Sequence, residues 1–230
     1  MLDQAIRFGT ITAHPDFSSE GMLLEVGSGS RGISDFTAQP VVGVDVAFAT
    51  APAPGMCAVR ASALHLPFKN GAFEQVVCSD MLEHLAASQR IAAVRELVRV
   101  TRARLFLSFP CDAAAREADS RLSRFYRRLG IREPDWLLQH LERTIPDSGV
   151  VDQALDEIRV RVSRYDGESA CAHCWISLLI SMRWLNTIWR TILSGKPSRA
   201  RKLSKFGVLR GKKHYRRLWV IEPIAAEVEI

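Results

Sequence analysis

The feature that most constrains this chain is a glycine-punctuated turn set between two short apolar runs. Met22-Leu-Leu-Glu-Val26 leads directly into Gly27-Ser-Gly29-Ser-Arg-Gly32, and Val41-Val-Gly-Val-Asp45 follows. A short apolar run ending in glycines reads as a buried strand and a sharp turn, with the backbone left bare for a ligand to approach. The turn is expected to open a helix, whose first N–H groups have no intrahelical partner. Asp45 ends the next strand 18 residues after Gly27. A carboxylate there can accept both hydroxyls of a ribose, so the pattern predicts a nucleoside-containing ligand at the C-terminal edge of a parallel sheet.

The pattern continues downstream. Gln75-Val-Val-Cys-Ser79 and Leu105-Phe-Leu-Ser-Phe109 are two more short runs bounded by turn formers, and Ile91, Val94, Leu97 and Val98 recur between them at helical spacing. Strands alternating with helices predict βαβ units in an α/β chain. Residues 20–110 form the expected core. Residues 111–157 read as a helical insertion, with helices over Ala113–Gly130 and Asp135–Arg143 separated by Gly130 and Pro134. Residues 158–230 then read as strand, helix and strand, the strands at Glu157–Ser163 and Arg217–Glu222. One domain is expected overall, and neither repeats nor low-complexity tracts interrupt it.

Gly27, Gly29 and Gly32 satisfy G-x-G-x-x-G, so a dinucleotide must be weighed. Glu25 opposes it: a carboxylate just before the glycines repels a pyrophosphate and welcomes a cationic amino acid group. Further residues point the same way: Ser62-Ala-Leu-His-Leu66-Pro67-Phe68, then Phe73-Glu74-Gln-Val, then Leu82-Glu83-His84, and Glu96 to Val100. Together with the glycine loop this stretch resembles class I S-adenosylmethionine-dependent methyltransferases, in particular their small-molecule branch. Ser62 and Glu74 stand where that family commonly has Asp.

The resemblance covers residues 22–110 closely. It implies a Rossmann-like, seven-stranded, mostly parallel sheet with helices on both faces and the helical insertion after strand 5. It implies S-adenosylmethionine as cofactor. Gly27, Ser28 and Gly29 would contact its methionine part through the backbone, with Glu25 near its amino group. Asp45 and Val46 would lie at the ribose, Ser62 and Ala63 at the adenine, and Ser79 with Asp80 at the end of the fourth strand.

A sulfonium methyl is already activated, so the protein must align an acceptor and exclude water. For a hydroxyl acceptor a base is useful, and His84 is the first candidate because it titrates near neutrality. Asp80 and Glu83 are alternatives. His140, in the insertion, reads either as a lid residue or as a surface histidine. The Asn-Pro-Pro-aromatic pattern of enzymes that methylate amino groups of bases is absent after Val77, which argues against nucleic acid as the substrate. The expected acceptor is a small molecule or a lipid- or glycan-linked metabolite, methylated on oxygen. The alternatives are an NAD(P)-binding oxidoreductase, favoured by Gly32, and a non-catalytic peripheral membrane module with a degenerate methyltransferase fold.

Charge is uneven along the chain. No acidic residue lies between Glu168 and Glu222, while that interval holds 12 of the 31 Lys and Arg. An amphipathic segment from Trp175 to Ser194 precedes the basic run Lys196–Arg217, so residues 175–217 could meet anionic headgroups as well as pack on the sheet. No uncharged apolar stretch is long enough to span a bilayer and Met1–Gly9 does not read as a signal peptide. The five cysteines are scattered, which suits a reducing cytoplasm. Cys171-Ala-His-Cys174 has metal-binding spacing but no second pair, so no metal site is expected.

Overall fold

In the computed structural model, which describes residues 2–181 and 213–224, the glycine turn sits at the centre of the sheet. Seven strands form it: β1 (Leu23–Val26), β2 (Val41–Asp45), β3 (Met56–Arg60), β4 (Phe73–Ser79), β5 (Thr101–Pro110), β6 (Val160–Asp166) and β7 (Arg216–Pro223), in the order β3-β2-β1-β4-β5-β7-β6. The first five run parallel, and β7 lies antiparallel between β5 and β6. This is the Rossmann-like, mostly parallel arrangement expected. The strand order reverses between β1 and β4, which opens a crevice at their carboxyl ends.

Side-chain alternation divides the sheet into two apolar faces. Leu24, Val26, Val76, Leu105, Leu107 and Trp219 point to one face. There they meet helices α2 (Ala87–Val100) and α5 (Ser148–Asp156) through Ala93, Val94, Leu97, Val151 and Leu155. Phe109 and Trp219 stack across β5 and β7 at 4.5 Å. Leu23, Val41, Val77, Phe106 and Val220 point to the other face. It is covered by α1 (Leu2–Thr12) and α6 (Ala170–Ser181) through Ile6, Phe8, Ile11, Ala172 and Ile176. Helices therefore cover both faces.

Three details differ from the sequence reading. The glycine turn leads into a single 3-10 turn, Gly32–Asp35, instead of an α-helix; Phe36 and Ile33 are nonetheless buried in the core beside α1. Strand β3 was not legible: only Met56 is buried along it, as befits an edge strand whose apolar signal is weak. The helical stretch after β5 holds α3 (Asp112–Arg128) and α4 (Asp135–Glu142), close to the expected spans. It also holds α5, whose Val151 and Leu155 join the main core. The helices α3 and α4 pack on each other, α3 on α6, and α4 on the turn Leu82–His84 after β4.

The expected residues of the Leu-Pro-Phe stretch and of Glu96-Leu-Val-Arg99 form one clamp. Glu96 accepts the Leu66 N–H at 2.9 Å and pairs with Arg99 at 2.7 Å. The Arg99 guanidinium donates to the carbonyls of Phe68 at 2.7 Å and Leu66 at 3.0 Å. These bonds fix the loop after β3 against α2. Replacing Arg99→Ala leaves two carbonyls and one carboxylate without their donor. Because Arg99 is partly exposed, urea unfolding is expected to report a loss of about 1–2 kcal/mol.

Candidate active site

Two cavities open at the carboxyl ends of the strands, and they share a wall. The first has a volume of about 430 Å3, within the range of small-ligand sites. Seven of the nine residues expected to meet the cofactor line it: Gly27, Ser28, Gly29, Asp45, Val46, Ser62 and Ala63. Each comes from the end of a strand or from the loop after it. Asp45, at the end of β2, accepts the Gly29 N–H at 2.8 Å through one oxygen and the Ala47 N–H at 3.2 Å through the other. The glycine turn is thereby tied to the carboxylate that faces the cavity.

Glycine is required in this turn for two different reasons. Gly27 has φ +80°, and a Cβ there would lie 2.8 Å from the Met81 side chain. Gly32 has φ +49°, and a Cβ there would lie 1.9 Å from a Glu25 carboxylate oxygen. The third glycine therefore makes room for Glu25. It does not line the ligand cavity, and this removes the one residue that favoured a nicotinamide dinucleotide.

Glu25 and Ser79 lie behind the cavity wall. Glu25 is 1% exposed and accepts the Ile33 N–H at 2.8 Å, closing the 3-10 turn. Burial pushes its carboxyl up to about 8. Ser79 is buried, and its Oγ has no hydrogen-bond partner among the described residues. Neither lines the first cavity, whose wall holds the other seven.

The second cavity, of about 460 Å3, lies under α3, α4 and α6. Asp80 and His84 line both cavities. Asp80 adopts φ +52°, a left-handed conformation that Asp tolerates better than most residues. Its carboxylate is held by Arg7 of α1 at 2.6 Å and by Arg216 of β7 at 2.6 and 2.8 Å. Burial alone would raise the Asp80 pKa, but Arg216 and then Arg7 overcome it and hold the group far below the usual carboxylate range. Arg216 also donates to Glu168 at 3.2 Å.

Around this ion cluster stands a polar ring. His173 stacks on Tyr215 at 3.5 Å. The Tyr215 hydroxyl donates to Asp119 at 2.9 Å, and Asp119 also meets His140 Nδ1 at 3.1 Å. His140 is 8% exposed, so it is a buried wall residue of the second cavity and not a surface histidine. His84 is open to the cavities; burial, then neighbouring His140, lowers its pKa. Sequence reasoning did not reach Arg7, Glu168, Tyr215 or Arg216. The available signal was the pair Arg216-Arg217 opening an otherwise apolar strand, since a buried charge requires a partner.

The comparisons with known proteins agree with this geometry. The sequence profile described as a methyltransferase domain matches residues 24–107. No curated protein matches the chain in sequence. Among solved structures, magnesium protoporphyrin IX methyltransferase from Synechocystis, with bound S-adenosylhomocysteine, is 12% identical, with 97% of this chain and 82% of that chain covered and a TM-score of 0.52. Phosphoethanolamine N-methyltransferase 2 of Haemonchus contortus is 10% identical, with 97% and 53% covered and a TM-score of 0.55. The cyclase SpnF is 14% identical, with 95% and 80% covered and a TM-score of 0.52. At such identities the neighbours share the fold.

Residues 24–107 thus match a methyltransferase domain, on a fold that solved methyltransferase structures share. The methyltransferase match runs against the oxidoreductase alternative. The residues of the first cavity fit S-adenosylmethionine: bare glycine backbone on one side, and a carboxylate at the end of β2 on the other.

Glu25 generates a pH prediction. Its carboxyl titrates near 4.5 when unfolded and at about 8 when folded. Between those values the folded state holds a proton that the unfolded state has released, so stability falls as pH rises through this window. The slope for one such group reaches about 1.4 kcal/mol per pH unit. Urea unfolding from pH 5 to 8 should show a shallower decline for Glu25→Gln than for the wild type.

Proposed function

We propose that the protein methylates a hydroxyl of a polar small molecule, or of a lipid- or glycan-linked metabolite, bound in the second cavity. The observation that carries this reading is the shared wall: Asp80 and His84 face both cavities, so an acceptor in one can reach a donor in the other. Bound in the first cavity, S-adenosylmethionine supplies a methyl group already activated on sulfur. Gly27 and Gly29 present bare backbone to its amino acid part, Asp45 accepts from the ribose hydroxyls, and Ser62 and Ala63 flank the base.

The chain's own work is binding, orientation and proton handling. Asp80 is paired with two guanidiniums, which makes it a poor base and a rigid partition. His84 is the group placed to take a proton from the acceptor, because its lowered pKa leaves the imidazole neutral and able to accept at neutral pH. Trp136 from α4 and Tyr126 from α3 narrow the second cavity and help to keep water out. The ring of Glu168, His173 and Tyr215 favours a polar acceptor over an apolar one.

Calorimetric titration with S-adenosylhomocysteine tests the cofactor half, with NADH as the control ligand. Micromolar binding is expected for the wild type, with no heat from NADH. Asp45→Ala should weaken binding at least tenfold by removing both the ribose acceptor and the anchor of the Gly29 N–H. Absence of binding in the wild type would overturn the assignment of this cavity.

A second reading concerns the surface. Trp175 is 64% exposed on α6, beside exposed Phe125 of α3, with Arg121 and Lys213 at the edge of the same apolar groove. This supports peripheral contact of residues 175–217 with an anionic membrane surface, and a cytoplasmic protein placed there could meet a lipid-linked acceptor. Residues 182–212 of that segment, including the expected face formed by Met182, Leu185, Trp189 and Ile192, lie outside the described residues. No helix among the described residues is long and apolar enough to cross a membrane. Co-sedimentation with anionic vesicles should be detectable and should fall for Trp175→Ser, whereas neutral vesicles should bind less.

A further inference from the structure

The partition between the cavities contains one group that neither the fold nor the proposed proton transfer uses. Glu83, on the turn after β4, is 2% exposed and lines the second cavity. Both its carboxylate oxygens are buried and make no hydrogen bond among the described residues. The guanidiniums nearby are committed elsewhere: Arg7 and Arg216 to Asp80 and Glu168, and Arg90 to the carbonyls of Leu82 and Thr144. A buried carboxyl with no donor must either keep its proton or meet a cation.

Two imidazoles complete the surroundings. One ligand atom from each of Glu83, His84 and His140 lies within 4.8 Å of the other two. His140 holds its Nδ1 against the buried Asp119 carboxylate, which leaves Nε2 as its free ring nitrogen. A carboxylate behind the far nitrogen of a histidine is the usual arrangement of a metal ligand, because it fixes the tautomer and raises the basicity of the free nitrogen.

From the unpartnered Glu83 carboxylate and the two imidazoles that converge on it, we infer that Glu83, His84 and His140 form a binding site for a divalent transition metal ion, Zn2+ in the first instance. Two nitrogens and one carboxylate oxygen, with the cavity on the open side, match the three-ligand sites at which Zn2+ keeps a position for water or substrate. The hard ions Mg2+ and Ca2+ would prefer oxygen donors. Zn2+ needs about 2.0–2.2 Å to each ligand, so the three side chains would close on the ion from their present spacing.

For its role, though not for its existence, the site rests on the methyl-transfer reading. An ion there would hold the acceptor's oxygen beside the donor cavity and acidify its hydroxyl, the proton passing to solvent. His84 then serves as a ligand, and the ion replaces it in activating the acceptor. The sequence reading expected no metal because its only candidate was the Cys171–Cys174 pair; Glu83-His84 and His140 are more than 50 residues apart.

The test is binding by the full-length protein after treatment with a chelator. Calorimetry with Zn2+ and the visible absorption of added Co2+ should each report one ion per chain. Glu83→Gln and His84→Ala should each weaken binding by more than Asp119→Asn does, and Asp119→Asn by about 10–100-fold. A Cys171→Ser/Cys174→Ser double variant should bind as the wild type does. Circular dichroism and S-adenosylhomocysteine binding establish that each variant is folded. Absence of an ion from the folded wild type, binding that survives in folded Glu83→Gln, or binding lost with the cysteines would overturn the site. Cofactor binding without metal binding would remove the metal site and leave methyl transfer standing. Metal binding without cofactor binding would do the reverse.

Discussion

The Asp80 carboxylate between Arg7 and Arg216 is the interaction on which the rest of the site depends. It joins the first helix, the turn after β4 and the last strand at one point between the two cavities. Its burial costs solvation that only close pairing can offset, and removal of any one partner would leave an uncompensated charge. That makes the partition stiff. It also explains why a residue in a left-handed conformation is kept at the end of β4: the chain must turn there to aim the carboxylate at two guanidiniums while Met81, Glu83 and His84 reach the cavities and Leu82 enters the core.

The glycine turn shows how one pattern can satisfy two unrelated constraints. Gly27 accommodates Met81, and Gly29 delivers its N–H to Asp45, so both serve the cavity directly. Gly32 exists because Glu25 folds back beneath it. The spacing is that of a dinucleotide loop, yet the third glycine has a packing cause inside the protein. Spacing alone could not separate these cases, because both require a residue without a Cβ.

The helices after β5 close the second cavity. Their amphipathic pattern predicted α3 and α4 to within a few residues, but not what they would cover. In the structure α4 rests on the turn that bears His84, and α3 carries Asp119 into the ring with His140 and Tyr215. His140 was legible as a helical histidine, whereas its burial and its carboxylate partner are products of packing. Glu25 and Ser79 moved the other way. Both sit at positions that local pattern assigns to the ligand, and both are buried away from the first cavity, Glu25 beneath the glycine turn.

The sequence by itself determined the alternating strands and helices, the parallel core around the glycine turn, and most of the first cavity. Those properties follow from periodicity and from residues close together in the chain, where local conformation decides which groups meet. Tertiary structure alone decided the second cavity. Arg7, Asp80, Asp119, His140, Glu168 and Arg216 come from distant parts of the chain and carry no common spacing. Their charges are compatible with burial only because the antiparallel return of β7 and the covering helices bring opposite partners within hydrogen-bond distance.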